Sequence, residues 1–138
     1  MTSEGGCLCG AVRFKCEGQP INVRICHCRN CQKAMGSPFF ARALFDQSAI
    51  TIEGETARYP SSDQLDRVFC PRCGTRLFSW RKVGHKRAGV ALAAFRRPQR
   101  LCPDRPYVGH GKNGLDPARR RPAVLSGNRT LAGELFRA

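Results

Sequence analysis

Apolar and polar residues alternate along positions 10–16. Val12, Phe14 and Cys16 fall on one face and Arg13 and Lys15 on the other, the two-residue period of a half-buried strand. Glu17-Gly18-Gln19-Pro20 is turn chemistry, and Ile21–Ile25 predicts a second short strand. Residues 28–35 are too polar for a strand and too short for a long helix, so one helical turn ending at Gly36 suits them. Phe39–Phe45 and Ile50–Ile52 predict further strands, with Asp46-Gln47-Ser48 as the turn between them. Val68–Phe69 leads into a turn at Cys70, Thr75–Trp80 leaves it, and Gly89–Phe95 reads as a strand of small residues. No internal repeat is visible. The pattern as a whole predicts a mainly β domain of many short antiparallel strands.

After Phe95 the pattern fails. Residues 96–138 hold five of the nine Pro and the clusters Arg96-Arg97 and Arg119-Arg120-Arg121, without a sustained period of either 2 or 3.6 residues. Leu125–Phe136 offers at most a weak helix. The expected organisation is therefore one folded domain over 1–95 and an irregular, basic Arg/Pro/Gly-rich tail over 96–138. A chain of 138 residues suits a single domain.

Charge sharpens this division. Residues 1–80 carry ten Lys/Arg against seven Asp/Glu, while residues 81–138 carry fourteen against three and supply most of the formal +14. A basic tail raises the question of nucleic-acid contact through phosphate attraction, yet the half that holds the Cys clusters is nearly balanced. No apolar run approaches the ~18 residues of a membrane span. The start, Met1-Thr2-Ser3-Glu4-Gly5-Gly6, lacks the basic-then-apolar build of a secretion signal. A cytoplasmic location follows, in which thiols stay reduced and are free for metals.

Nine Cys, an odd number in clustered groups, carry the chemistry. Cys70-Pro71-Arg72-Cys73-Gly74 is a metal turn: Pro fixes the entry φ, the two sulfurs converge, and Gly takes the left-handed conformation on the way out. Zinc prefers four thiolates in a tetrahedron, so a second pair is needed. Cys7 and Cys9 are its natural partners, because residues two apart on an extended segment point the same way. Such a site contributes on the order of 10–16 kcal/mol of apparent binding free energy, much of it realised as folding. The bland alternative is a set of unpaired, buried Cys.

Cys26, Cys28 and Cys31 form the other group. All three can face one metal if the first two sit at a strand end and the third on the following helical turn, and three protein ligands leave the open position that marks catalytic zinc. Cys16 or His27 would close the site as a fourth ligand. His27, however, lies between two ligands and should point away, and Cys16 is in phase with the core residues Val12 and Phe14. Redox chemistry through Cys28-x-x-Cys31 lacks the surrounding βαβ pattern. No Walker-type loop, GxGxxG or Ser/His/Asp set is present; His85 and His110 have no catalytic partner in sequence, and Asp63 and Asp66 read as a solvated loop.

Three stretches together resemble the glutathione-dependent formaldehyde-activating family, also grouped with centromere-protein-V-like domains. They are Gly5-Gly6-Cys7-Leu8-Cys9-Gly10-Ala11-Val12-Arg13-Phe14, Cys26-His27-Cys28-Arg29-Asn30-Cys31-Gln32-Lys33 and Phe69-Cys70-Pro71-Arg72-Cys73-Gly74-Thr75. The resemblance implies short β-sheets around a zinc-ribbon-like centre and two zinc ions. One is structural, at Cys7, Cys9, Cys70 and Cys73, and the other catalytic, at Cys26, Cys28 and Cys31. It implies a carbon–sulfur lyase that joins a glutathione-like thiol to a small aldehyde such as formaldehyde. Three thiolates on Zn²⁺ carry a net charge of −1, so nearby cations would help; Arg29, Lys33 and Arg42 are candidates that otherwise read as surface. The partners expected are thus a small thiol and an aldehyde, with neither membrane nor nucleic acid. The resemblance also implies an acidic, Trp-bearing closing segment after Phe95, where this chain reads Arg96-Arg97-Pro98-Gln99-Arg100. GC-rich coding DNA read in a shifted frame yields that composition, so an out-of-frame, unpacked tail from about residue 96 is expected. The competing functional class is a non-catalytic zinc module whose basic tail binds an acidic partner.

Overall fold

The computed structural model describes residues 1–101. In chain order the strands are β1 (Thr2–Gly6), β2 (Arg13–Glu17), β3 (Asn22–Cys26), β4 (Phe40–Asp46), β5 (Ile50–Glu53), β6 (Ala57–Ser62), β7 (Leu65–Phe69), β8 (Arg76–Arg81) and β9 (Arg87–Ala91), with one helix, α1 (Arg29–Met35), between β3 and β4. They form a three-stranded sheet ordered β1-β2-β5 and a six-stranded sheet ordered β3-β4-β9-β8-β7-β6. Every pairing is antiparallel.

The alternation read in the sequence is the alternation of burial. In β2, Phe14 and Cys16 are buried while Arg13, Lys15 and Glu17 are exposed. The Phe14 ring meets Phe78 of the large sheet edge-on at 5.2 Å and Phe95 at 5.1 Å. Val12, Phe45, Val68, Leu77 and Val90 complete the same buried cluster, so the small sheet covers one face of the large one. Side chains on a strand alternate between faces. Those in phase opposition to Phe45, Val90 and Phe78 therefore project from the large sheet's other face, and the cavity described below lies there.

The structure adds elements that carry no apolar period. β1 is polar and Gly-rich, and it holds its place through a backbone ladder in which Gly5 pairs with Phe14. A Cβ at Gly5 would collide with the Phe14 ring and the Ala94 carbonyl. β6 contains Pro60 and occupies the sheet edge, where a missing N–H costs no ladder bond. The helix runs seven residues, longer than the single turn expected, and stops at Gly36 with φ 60°. The last expected strand is shorter than Gly89–Phe95: β9 ends at Ala91 and a 3₁₀ turn, Leu92–Ala94, follows. Asp66 is not on a loop. It lies in β7 with its carboxylate 3.3 Å from Lys82 and 3.8 Å from Arg58.

Packing does not stop at Phe95. The Arg96 amide donates to the Glu4 carbonyl at 2.9 Å, Pro98–Arg100 form a 3₁₀ turn, and Leu101 is buried in the main cluster. The unpacked tail expected from residue 96 is thus not met over 96–101, because Leu101 supplies an apolar side chain that the core accepts. The Leu125–Phe136 helix, the Arg119-Arg120-Arg121 cluster and His110 lie outside the described residues, as does any frame change beyond Leu101.

Candidate metal centres and active site

Two loops bring the first four sulfurs together. Cys7 and Cys9 follow β1 in a turn closed by Gly10 N–H to Cys7 O at 3.2 Å, and Cys70 and Cys73 sit in the turn between β7 and β8, closed by Gly74 N–H to Cys70 O at 2.9 Å. Gly74 has φ 71°, the left-handed exit that the motif requires. The loops are tied by the Leu8 amide donating to Thr75 Oγ1 at 3.1 Å. All four sulfurs lie within 4.8 Å of one another. Cys7 to Cys9 is 3.6 Å and Cys9 to Cys70 is 3.8 Å, the sulfur spacing of ~3.8 Å that follows from tetrahedral Zn–S bonds of ~2.3 Å. Hydrogen bonds favour thiolate at Cys73, whereas at Cys9 a backbone hydrogen bond from Ala11 is outweighed by burial and the neighbouring sulfurs, which push that thiol up to about 11. The Thr75 hydroxyl stands 3.1 Å from Cys73 Sγ, and together with backbone hydrogen bonds it pulls that thiol down to about 5. The residues fit a closed four-thiolate zinc site.

The second set is built on one short segment. Cys26 ends β3, Cys28 is the N-cap of α1, and Cys31 lies in the first turn of the helix, its amide donating to Cys28 Sγ at 3.4 Å. The three sulfurs lie within 4.8 Å of one another, Cys26 half-buried, Cys28 exposed and Cys31 buried. Neither Cys16 nor His27 contributes a ligand atom to this set. Cys16 is fully buried in the core under β2, where desolvation and then Glu17 push its thiol up to about 12. His27 is buried with its ring 5.9 Å from Phe39. Among the described residues the second set therefore offers three ligands, which fits zinc with an open position.

A cavity of about 430 Å³ opens on these three cysteines, and its lining includes Arg42, Arg67, Arg81 and Arg87 but no Asp or Glu. Register explains the arginines. Arg67 pairs with Ser79, Ser79 with Gly89, and Gly89 with Leu44, so one row of small or long side chains crosses the face opposite the core. Arg42, Arg81 and Arg87 are two residues away from members of that row and share its face.

Arg67 is a candidate site residue that sequence reasoning missed. It is buried, its guanidinium reaches Cys31 Sγ at 3.8 Å through both terminal nitrogens, and Ser79 Oγ and Ser61 Oγ accept from it at 3.1 and 3.2 Å. Burial first, and then the Cys28 and Cys26 sulfurs, push Cys31 up to about 12, while Arg67 pulls it down. For Cys28, burial opposes ionisation, but hydrogen bonds from Cys31 and Cys26 and the Arg67 charge hold its thiol below the ordinary value. Of the three cations proposed from sequence, Arg42 reaches the cavity and is largely buried, not surface. Arg29 instead donates to Gln32 Oε1 at 3.3 Å, and Lys33 lines an adjoining groove with Arg67 and Arg76. His85 lines the main cavity as well.

Comparison with known proteins agrees with this architecture. The sequence model of the glutathione-dependent formaldehyde-activating enzyme family matches residues 2–108, so the compositional boundary at Phe95 falls inside the matched stretch. An uncharacterized lyase of Schizosaccharomyces pombe is 33% identical over 75 residues, covering 54% of this chain and 55% of that protein. The chain thus spans little more than half of that relative's length. A Halomonas elongata protein, named as a candidate glutathione-dependent formaldehyde-activating enzyme, is 32% identical over 111 residues, 71% of each chain. A crystal structure of a Rhodobacter sphaeroides protein superposes with a TM-score of 0.60 at 23% identity, covering 77% of this chain and 99% of that one; that likeness concerns the fold. With a family match over residues 2–108 and a relative 32% identical over 71% of each chain, this chain belongs to the glutathione-dependent formaldehyde-activating enzyme family.

Proposed function

We propose that this protein is a zinc-dependent carbon–sulfur lyase that joins a glutathione-like thiol to a small aldehyde such as formaldehyde. The observation that carries this reading is the contrast between the two sulfur sets. Four cysteines close on themselves, whereas three open onto a cavity with a cationic wall. In the reaction a C–S bond forms between the thiol sulfur and the aldehyde carbon, the C=O π pair moves to oxygen, and the thiol proton ends on that oxygen as the hydroxymethyl O–H. Zinc held by Cys26, Cys28 and Cys31 would supply Lewis acidity and keep a substrate thiol deprotonated near neutral pH. Zinc at Cys7, Cys9, Cys70 and Cys73 would be structural.

The chain's own residues do the rest. Arg67 holds Cys31 and offsets the negative charge that three thiolates bring. The cavity is large enough for a tripeptide-sized thiol in part and a one-carbon aldehyde beside it. No helix among the described residues is long and apolar enough to cross a membrane, and a glutathione-linked reaction suits the reducing cytoplasm. The family match and the lyase-named relative support the reaction class. The test is ¹³C-NMR of labelled formaldehyde exchanging with its glutathione adduct, using zinc-replete protein. Exchange faster than the uncatalysed rate, lost on Cys28→Ser, supports the proposal; exchange at the uncatalysed rate overturns it.

A further inference from the structure

The cavity wall on the large sheet carries Arg42, Arg67, Arg81 and Arg87 and no Asp or Glu, and Arg87 meets a carboxylate only beyond that lining, at 3.9 Å from Asp46. Arg42 lies on β4 opposite Ala91 of β9, and its neighbour across β3 is Arg24, a like charge at a directly paired position. Like charges placed directly opposite repel. Arg42 stays there because β9 carries Gly89: a Cβ at that position would lie 2.8 Å from Arg42 Cδ. The missing side chain leaves a trough in which the arginine stem lies, and its guanidinium faces the cavity. Arg42 Nη1 is buried and has no hydrogen-bond partner. A desolvated cationic donor without an acceptor is costly, so such groups persist where a ligand completes them. Cys31 is already met by Arg67. The Cys26 and Cys31 sulfurs act on the Arg42 charge through space, but neither accepts from Nη1, which is left open in the cavity wall.

Resting on the function proposed above, the geometry points to Arg42, seated over Gly89 and flanked by Arg81 and Arg87, as the anchor for a carboxylate of the ligand. The site then selects carboxylate-bearing ligands over neutral ones of the same shape. A guanidinium fork matches a carboxylate in two parallel hydrogen bonds. Because Arg42 and the cysteine set line the same cavity, a molecule anchored there by its carboxylate keeps its reactive end free for the cysteines. Both reactants of the proposed reaction are possible sources of the carboxylate: the thiol, or an aldehyde that is itself an acid.

Calorimetry on the zinc-loaded full chain tests the anchor without turnover, with malonate and its neutral analogue malonamide as probes. Malonate should bind roughly tenfold more tightly, the scale of one charge-assisted pair. Arg42→Gln should abolish most of that preference while both zinc ions and the melting temperature are retained. Arg58→Gln, which removes a charge outside the cavity, should leave the preference intact. Equal binding of the two probes, or a preference that survives Arg42→Gln, overturns the anchor. Should Arg42→Gln not fold, Gly89→Ala carries the test by pushing the arginine from its seat: a lost preference supports the anchor and a kept one overturns it. Two further arms locate the carboxylate. Weaker binding of glutathione than wild type by Arg42→Gln, with its diethyl ester unaffected, places it on the thiol; the same loss for glyoxylate but not formaldehyde places it on the aldehyde; loss in neither arm overturns Arg42 as a determinant of this reaction. Absence of turnover with every substrate would refute the lyase reading, and the malonate comparison would still decide for or against Arg42.

Discussion

Replacing Arg67 by Met should separate the two zinc sites by affinity. Arg67 is buried to 4% exposure, and its contacts are two serine hydroxyls and the Cys31 sulfur, with no carboxylate among them. Its charge is therefore complemented by the thiolates of the second set. At 3.8 Å and an effective dielectric of about 20, two unit charges attract by roughly 4 kcal/mol. Desolvation of the guanidinium takes back a large part of this. What remains should match the loss typical of removing an outer partner of a metal ligand, roughly 10–100-fold in metal affinity. The form with zinc at the four-sulfur site alone should respond with the opposite sign. Without metal-bound thiolates to meet, a buried cation is a cost, so Arg67→Met should leave the melting temperature of that one-zinc form unchanged or raise it. Zinc competition against chelators of graded affinity, followed on the full chain, resolves both sites, with the four-sulfur site as the internal reference. Arg67→Lys keeps the charge but loses the fork and should fall between wild type and Met. Equal zinc retention at the second site in wild type and Arg67→Met would refute the reasoning, as would equal weakening of both sites.

Other outcomes follow from the same geometry. Cys73→Ser removes a ligand of a site on the order of 10–16 kcal/mol in apparent binding, comparable with the whole ~5–15 kcal/mol stability of a domain. Circular dichroism should show it unfolded, whereas Cys28→Ser should stay folded and bind one zinc by elemental analysis instead of two. Cys16, held near 12 by burial and Glu17, is protonated at neutral pH and ionises only as pH rises toward that value. With the second site emptied by a chelator too weak to strip the four-sulfur site, mass spectrometry of alkylated protein at pH 7.5 should find Cys28 modified well before Cys16, and early labelling of Cys16 would contradict its core position. A chain ended after Phe95 exposes the Leu101 pocket and should be about 1.5–3 kcal/mol less stable than one ended after Leu101; equal melting of the two truncations would show that Leu101 packing contributes nothing.

What the sequence made legible is what local chemistry determines. The alternation of Val12, Phe14 and Cys16, the stop at Gly36 and the left-handed exit at Gly74 each depend on a few neighbouring residues. Cysteine spacing belongs to the same class, because two sulfurs two or three positions apart converge wherever the turn is placed. Other features required pairing between distant strands. β1 has no apolar period to announce it, since its partners are backbone groups of β2. Arg67 sits in a stretch whose burial does not alternate, and its role appears only when Ser61, Ser79 and Cys31 arrive from β6, β8 and α1. Arg42 reads as a surface cation until the register sets it beside Gly89.

The difference between the two sulfur sets is a matter of how many segments supply them. The closed set draws two thiolates from each of two turns, one after β1 and one between β7 and β8, so the metal would bridge the small sheet to the large one and contribute to folding. A fourth ligand is present because a second turn faces the first. The open set draws all three sulfurs from Cys26 to Cys31, at the end of one strand and the start of one short helix. The neighbouring strands face that cluster with Arg67, Ser79 and Arg42 instead of another cysteine turn. A cationic wall cannot complete a zinc tetrahedron, but it suits the negative charge that three thiolates and an incoming thiol accumulate. On the proposed function, openness to substrate and the arginine wall follow from one arrangement, in which the strands facing the three sulfurs bring cations and no fourth ligand.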